Sequence, residues 1–79
     1  MTSPNVALNC IPCGSKATVA SLRADAEITK RLLELGITRG TEIMVLGNAP
    51  LGDPMIVRVR GCQFAIRRNE AKNVLMEFA

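Results

Sequence analysis

In the second half of the chain, four short runs, 42–47, 55–60, 62–67 and 74–78, divide their side chains between two faces with a period of two. In a strand every second side chain points to the same face, so a period of two is typical of a strand with one buried face. Residues 48–54 are rich in turn-forming types, and Gly61 favours a tight hairpin turn. The pattern therefore predicts four short strands in succession.

The first half of the chain predicts one further strand and one short helix. Residues 16–22 have β-branched character and follow Gly14, which is typical of a strand. Asp25 can cap a helix that runs to Leu35, and Gly36 stands where a left-handed residue ends a helix. We expect Ile37 to fold back on the last helical turn. The apolar face of the helix consists of Ile28, Leu32 and Leu35, widened by Leu33.

These elements predict a mainly β fold. Five short strands around one core, with the helix inserted after the first, fit a small closed barrel, because closure removes the exposed edges of a small open sheet. A chain of 79 residues makes a single domain. We expect residues 1–6 to form a loose start and residues 69–72 to form one helical turn. Leu8 and Ile11 are expected to cover one end of the barrel.

The composition argues against an enzyme. The chain has no histidine, so it cannot build a Ser-His-Asp or Cys-His arrangement or a histidine-ligated catalytic metal. The only aspartates are Asp25 and Asp53, and neither lies in a cluster with metal-ligand spacing. We therefore expect a protein that binds rather than catalyses, with no cofactor required.

The three cysteines leave two interpretations open. Cys10 and Cys13 form a C-x-x-C motif, whose thiolates can share an Fe(II) or Zn(II) ion. A tetrahedral site needs four ligands, so two chains would have to supply a shared site in a homodimer. The alternative is a pair of ordinary thiols near a turn. Cys62 lies in a predicted strand, where we expect it to be a small core residue.

The aromatic and basic residues bear on two common ligands of small barrels. Phe64 and Phe78 are the only aromatics and both are predicted to lie in the core, which leaves no aromatic groove for proline-rich peptides or stacked bases. The predicted hairpin region carries Arg58, Arg60, Arg67 and Arg68. These arginines are either a phosphate-contacting patch or a solvated outer face. No nucleic acid is expected as partner, and a small nucleic-acid-binding barrel remains the alternative.

The loop at 50–54 places Leu51 between two prolines. Prolines stiffen a loop and so lower the entropy that is lost when it docks on a partner. Leu51 is then either an apolar anchor for a partner or a cap over the barrel end. The longest uninterrupted apolar run is 43–46, far short of a membrane span, and residues 1–9 lack the features of a signal peptide. These observations predict a cytosolic protein.

The order of motifs along the chain resembles the FeoA family, the ferrous iron transport protein A. The resemblance rests on residues 8–14, 31–40, 49–54, 65–67 and 70–71. Its specific part is Arg-Leu-Leu-Glu-Leu-Gly-Ile-Thr-Arg-Gly followed, about ten residues later, by Leu-Gly-Asp-Pro. The family often has a proline where this chain has Arg39, and many members have other residues in place of Cys10 and Cys13.

The resemblance implies an SH3-like barrel that associates with the cytosolic part of FeoB, the Fe(II) transporter, and modulates it. The domain would then be cytoplasmic and peripheral to the inner membrane, reaching the membrane only through its partner. The residues expected to contact the transporter are the apolar anchor Leu51, Asp53, and the helix end with Arg31, Leu35 and Arg39.

Overall fold

The computed structural model describes residues 5–78. The elements are β1 (Val6–Ala7), a single 3-10 turn (Leu8–Cys10), β2 (Lys16–Leu22), α1 (Ala26–Glu34), β3 (Glu42–Asn48), β4 (Met55–Val59), β5 (Cys62–Ile66), α2 (Arg68–Ala71) and β6 (Val74–Glu77). The strands form one antiparallel sheet in the order β1-β6-β2-β3-β4-β5. The mainly β fold that the alternation predicts is therefore confirmed.

The five predicted strands are all present, and their ends agree with the prediction to within one residue. A sixth strand, β1, was not predicted. Val6 pairs with Met76 in this strand, so the expectation of a loose start is wrong at Val6. The part of that expectation that concerns residues 1–4 lies outside the described residues. The predicted helical turn at 69–72 begins one residue earlier, as α2.

Helix α1 begins and ends as its sequence predicts. The carboxylate of Asp25 accepts a hydrogen bond of 2.9 Å from the backbone N–H of Ile28, which satisfies one of the free donors of the first turn. At the other end Gly36 has a φ of +88°, and the N–H of Ile37 donates to the carbonyl of Leu32 at 3.0 Å. This is a Schellman motif, and it turns the chain back toward the sheet.

The core is made of apolar side chains from every strand except β1, from Leu32 of α1 and Ala71 of α2, and from the 3-10 turn and connecting segments. The residues that are less than about a tenth exposed include Leu8, Ile11, Val19, Leu32, Ile37, Ile43, Val45, Val57, Val59, Ile66, Val74 and Met76. Leu8 and Ile11 are both buried in this core. Leu33 does not widen the apolar face, because 46% of its surface is exposed.

Two residues predicted for the core lie outside it. Phe78 follows the last residue of β6 and is 39% exposed. Cys62 shares a face with Phe64, which packs partly against the core, but Cys62 opens the edge strand β5 beside the hairpin turn and is exposed. In both cases alternation gives the correct face, while the position at the end of a strand leaves the side chain uncovered.

The hairpin between β4 and β5 has a two-residue turn, Arg60 and Gly61, with Val59 opposite Cys62. Both turn residues have positive φ, 52° and 82°, which defines a type I′ turn and matches the twist of the flanking strands. The tight hairpin at Gly61 is therefore confirmed. Among residues 5–78, no helix has the length and apolar character that crossing a membrane requires.

Candidate docking loop

The loop that joins β3 to β4, residues 49–54, is closed by two backbone hydrogen bonds. The N–H of Gly52 donates to the carbonyl of Ala49 at 2.7 Å, and the N–H of Ala49 donates to the carbonyl of Pro54 at 3.0 Å. The first bond forms a turn with Leu51 near its tip, and 97% of the surface of Leu51 is exposed. Leu51 therefore does not cap the barrel, and its role as an apolar anchor stays a prediction.

Arg68, at the start of α2, holds this loop against the rest of the domain. Its guanidinium donates to the carbonyl of Gly52, to the carbonyl of Asn9 at 3.0 Å and to Oδ1 of Asn48 at 2.7 Å. Its backbone N–H donates to Oδ1 of Asp53 at 3.0 Å. The Arg68 side chain thus connects three segments that are distant in sequence and holds the loop against the rest of the domain.

A second set of polar contacts connects α1 to the same segment. Nε of Arg31 lies 3.1 Å from a carboxylate oxygen of Glu70, whose side chain is almost buried. The other carboxylate oxygen of Glu70 accepts a hydrogen bond of 3.4 Å from the N–H of Arg67. The guanidinium of Arg67 in turn lies 3.9 Å from the carboxylate of Asp53. The segment 67–70 therefore links Arg31 on the helix to Asp53 in the loop.

The other two residues of the predicted contact surface have different surroundings. Leu35 is half-buried and packs against the core, so only part of its side chain is available to a partner. Arg39 is exposed and lines a groove with Leu33 and strand β2. The structure thus brings Arg31 and Asp53 into contact with the segment 67–70, leaves Leu51 exposed two residues before Asp53, and places Arg39 in a separate groove.

The C-x-x-C motif lies next to the loop. Both of its thiols are exposed, and Cys13 Sγ accepts a hydrogen bond of 3.5 Å from Nδ2 of Asn48. The thiol of Cys10 is 3.7 Å from Oδ1 of Asn9. Arg68 donates hydrogen bonds to these same two asparagines. Both thiols therefore lie next to the hydrogen bonds that hold the loop.

Cys62 is apart from the other two thiols. It pairs with Val59 at the far end of β4, whereas Asn48, the neighbour of Cys13, pairs with Met55 at the loop end of that strand. At about 3.3 Å per residue, the two ends of β4 are separated by roughly 13 Å. Among the residues that the structure describes, no three acidic or cysteine side chains are placed to hold one metal ion. The residues present therefore do not fit a tetrahedral site within one chain.

The four arginines of the hairpin region do not form one patch. Arg67 and Arg68 are engaged at the loop, as described above. Arg58 lies within β4, and Arg60 lies in the turn at the opposite end of that strand from the loop. The basic residues on the sheet face are therefore a smaller group than the sequence predicts.

The antiparallel sheet, its type I′ hairpin and the inserted helix define a small SH3-like β-domain. The chain belongs to the FeoA family, because the model of the FeoA domain matches residues 6–77. The resemblance seen in the sequence motifs is thereby confirmed.

Three known proteins illustrate the match. The chain is 31% identical over 64 residues to an Fe(2+) transport protein A/Fe(2+) transporter FeoB fusion protein from Porphyromonas gingivalis, a match over 81% of this chain and 8% of the fusion protein. The chain thus spans less than a tenth of that relative. The NMR structure of an FeoA-like protein from Clostridium acetobutylicum has a TM-score of 0.89 and 37% identity, covering 99% of this chain and 90% of the other.

The third is FeoA from Stenotrophomonas maltophilia, crystallised in complex with zinc. It is described as a prokaryotic SH3 domain protein and has been suggested to be a ferrous iron transport activating factor. Its TM-score is 0.80 at 34% identity, and the match covers 91% of this chain and 89% of that one.

Sequence reasoning missed the residue that organises the site. The sequence leaves Arg68 either in a phosphate-contacting patch or on a solvated outer face, whereas its guanidinium satisfies acceptors on Asn9, Asn48 and Gly52.

Proposed function

We propose that this domain is an accessory regulator of ferrous iron uptake that acts by binding the cytosolic part of an FeoB-type transporter. Membership of the FeoA family supports the link to ferrous iron. The fusion protein from Porphyromonas gingivalis supports the choice of partner, because an FeoA-like part and FeoB share one chain there. The domain acts by binding and not by catalysis, at the cytoplasmic face of the inner membrane, which it reaches through the transporter.

The observation that carries the docking model is the exposure of Leu51. A large aliphatic side chain that is 97% exposed gains about 1.5–3 kcal/mol when a partner buries it. The hydrogen bonds from Arg68 hold the loop in place, so little conformational entropy is lost on binding. Leu51 is the apolar anchor, and the neighbouring carboxylate of Asp53 sets the orientation of the partner.

The helix end extends the contact surface. Arg31, Leu35 and Arg39 lie on or just after α1, and the ion pair of Arg31 with Glu70 couples this end to the loop segment. Regulation of the transporter requires that the domain bind one of its conformations more tightly than another. The domain then shifts the conformational equilibrium of the transporter without taking part in any chemical step.

The test is isothermal titration calorimetry with the purified cytosolic domain of an FeoB-type transporter, in the presence of GDP and of a GTP analogue. Leu51→Asp removes the anchor, and we expect a loss of about 2 kcal/mol, roughly 30-fold in Kd. Phe78→Asp is the matched control, because it changes another exposed apolar residue outside the loop. Unchanged binding by folded Leu51→Asp would contradict the docking model.

The thiols are proposed as a secondary metal site that forms only between two chains. Cys10 and Cys13 are both exposed, so two copies can bring four thiolates to one Fe(II) or Zn(II) ion. Native mass spectrometry with added zinc is expected to show a metal-containing homodimer that is lost in the Cys10→Ser, Cys13→Ser variant. A metal-free monomer under the same conditions would remove this candidate.

A further inference from the structure

A row of three side chains crosses the outer face of the sheet from β2 to β4. Lys16 on β2 lies opposite Met44 on β3, and Met44 lies opposite Arg58 on β4. Directly opposed residues of neighbouring strands point to the same face of a sheet. A half-buried methionine is therefore flanked on both sides by exposed cations.

Among residues 5–78, the two cations of this row have weak partners or none. Within residues 5–78, the Arg58 side chain makes no hydrogen bond or ion pair. Lys16 lies 3.8 Å from the carboxylate of Glu42, but both side chains are more than 60% exposed, and such surface pairs contribute only about 0–1 kcal/mol. An incoming carboxylate can therefore replace Glu42 at little cost.

Arg60 adds a third cation from the hairpin turn. Its guanidinium donates to Oγ1 of Thr41 at 3.4 Å, and it lines the same groove as Arg58 and Met44. Its φ of 52° is in the left-handed region, which glycine, asparagine and aspartate tolerate best and which costs other residues about 1–2 kcal/mol. The chain thus carries a positive charge at a backbone position that disfavours arginine.

We propose that this row, Lys16, Met44, Arg58 and Arg60, binds an acidic, extended polypeptide segment of a protein partner. Adjacent strands are about 4.8 Å apart, which places Lys16 and Arg58 roughly 10 Å apart across the sheet. An extended peptide covers the same distance in about three residues. In the polyproline II form of such a peptide three residues complete one turn, so carboxylates at positions i and i+3 point to the same side and meet the two cations.

The row fits an acidic polypeptide better than a nucleic acid. Proteins that bind single strands use aromatic side chains on which bases stack, and the row contains none. Glu42 would repel a phosphate backbone along the groove, whereas a peptide with spaced carboxylates can avoid it. The net charge of the chain is only +3.

This surface is separate from the docking loop, so the two proposals can fail independently. Arg58 lies within β4, and its neighbours across the sheet are Met44 and Gln63, whereas Leu51 lies in the loop that precedes the strand. The Leu51→Asp variant should therefore bind the acidic peptide as the unmodified domain does. Conversely, loss of peptide binding would leave the loop proposal untouched.

The experiment uses fluorescence anisotropy with a labelled synthetic peptide, three repeats of Glu-Leu-Ser-Glu. At about 50 mM salt we expect saturable binding that weakens as salt is raised, and no binding of the peptide in which glutamine replaces glutamate. Arg58→Glu should weaken binding at least about tenfold, because it replaces an attraction by a repulsion. Lys30→Glu, the same charge change on exposed Lys30 of α1, should change Kd less than about twofold.

Three results would overturn the proposal. The first is the absence of binding at about 1 mM peptide. The second is an equal loss of affinity in Arg58→Glu and Lys30→Glu, which would indicate that net charge alone determines binding. The third is tighter binding of a uridine 12-mer with the same dependence on Arg58, which would indicate a nucleic-acid surface. Two-dimensional NMR spectra of each variant establish that it is folded, since all of these substitutions are at exposed positions.

Discussion

Removing the guanidinium of Arg68 tests whether its hydrogen bonds hold the loop at 49–54 in place; these bonds are called the tether below. Arg68→Ala deletes three hydrogen bonds, to Gly52, Asn9 and Asn48, and leaves the backbone bond to Asp53 in place. The bonds to Gly52 and Asn9 are partly buried and contribute about 1 kcal/mol each, and the exposed bond to Asn48 contributes about 0.5 kcal/mol. The expected loss in the free energy of unfolding is therefore about 2.5 kcal/mol.

A loss of this size is easily measured in a domain of 79 residues. Urea denaturation should show a lower midpoint with an unchanged m-value, and Tm should fall by roughly 10–20 °C. Hydrogen exchange should locate the effect, because the N–H groups of Ala49 and Gly52 close the loop and should exchange faster in the variant. The same variant should bind a transporter partner more weakly, since its loop is no longer ordered beforehand.

Two matched variants separate the tether from a general effect of charge. Arg67→Ala removes a neighbouring arginine whose contact with Asp53 is 3.9 Å long and largely exposed, so it should cost less than about 0.5 kcal/mol. Arg68→Lys keeps the charge but lacks the planar set of donors, so its stability should lie between those of Arg68→Ala and the unmodified domain. The reasoning is refuted if Arg68→Ala loses no more stability than Arg67→Ala.

Further predictions concern the core, the hairpin and the helix pair. Leu32→Ala removes a fully buried side chain and should lower the free energy of unfolding, measured by urea denaturation, by about 3 kcal/mol. Leu33→Ala changes a neighbour that is 46% exposed and should lower it by less than about 1 kcal/mol. Equal losses would contradict the assigned core. Arg60→Asn suits the left-handed turn and should raise Tm while weakening binding of the acidic peptide; a lower Tm would refute the turn argument. Arg31→Ala leaves the almost buried carboxylate of Glu70 without its cation and should cost about 1–2 kcal/mol, so a neutral result would show that this pair is not structural.

The features that could be predicted are those encoded by neighbouring residues. Helix α1 carries its own start in Asp25 and its own stop in Gly36, and both caps form as expected. The hairpin at Gly61 and the β-branched pair Thr18 and Val19 in β2 are equally local signals. In each case a few consecutive residues determine backbone geometry, so sequence alone is enough.

The features that could not be predicted depend on residues far apart in sequence. Strand β1 has two residues, too few for any periodicity to appear. Arg68 binds Asn9, which is 59 residues away in the sequence. Two of the three acceptors of its guanidinium are backbone carbonyls, which no side-chain pattern reveals. For Cys62 and Phe78 the alternation gives the face of the sheet but not whether another element covers that end of the strand.

We propose that the domain acts by docking the loop at 49–54 on an FeoB-type transporter. The most direct measurement is an NMR titration of the isotope-labelled domain with the unlabelled cytosolic domain of that transporter. We expect the largest chemical-shift changes or line broadening at Leu51, Gly52 and Asp53. Smaller changes should extend to Arg31 through its contact with Glu70. Perturbations confined to other surfaces, with the loop resonances unmoved at saturation, would contradict it.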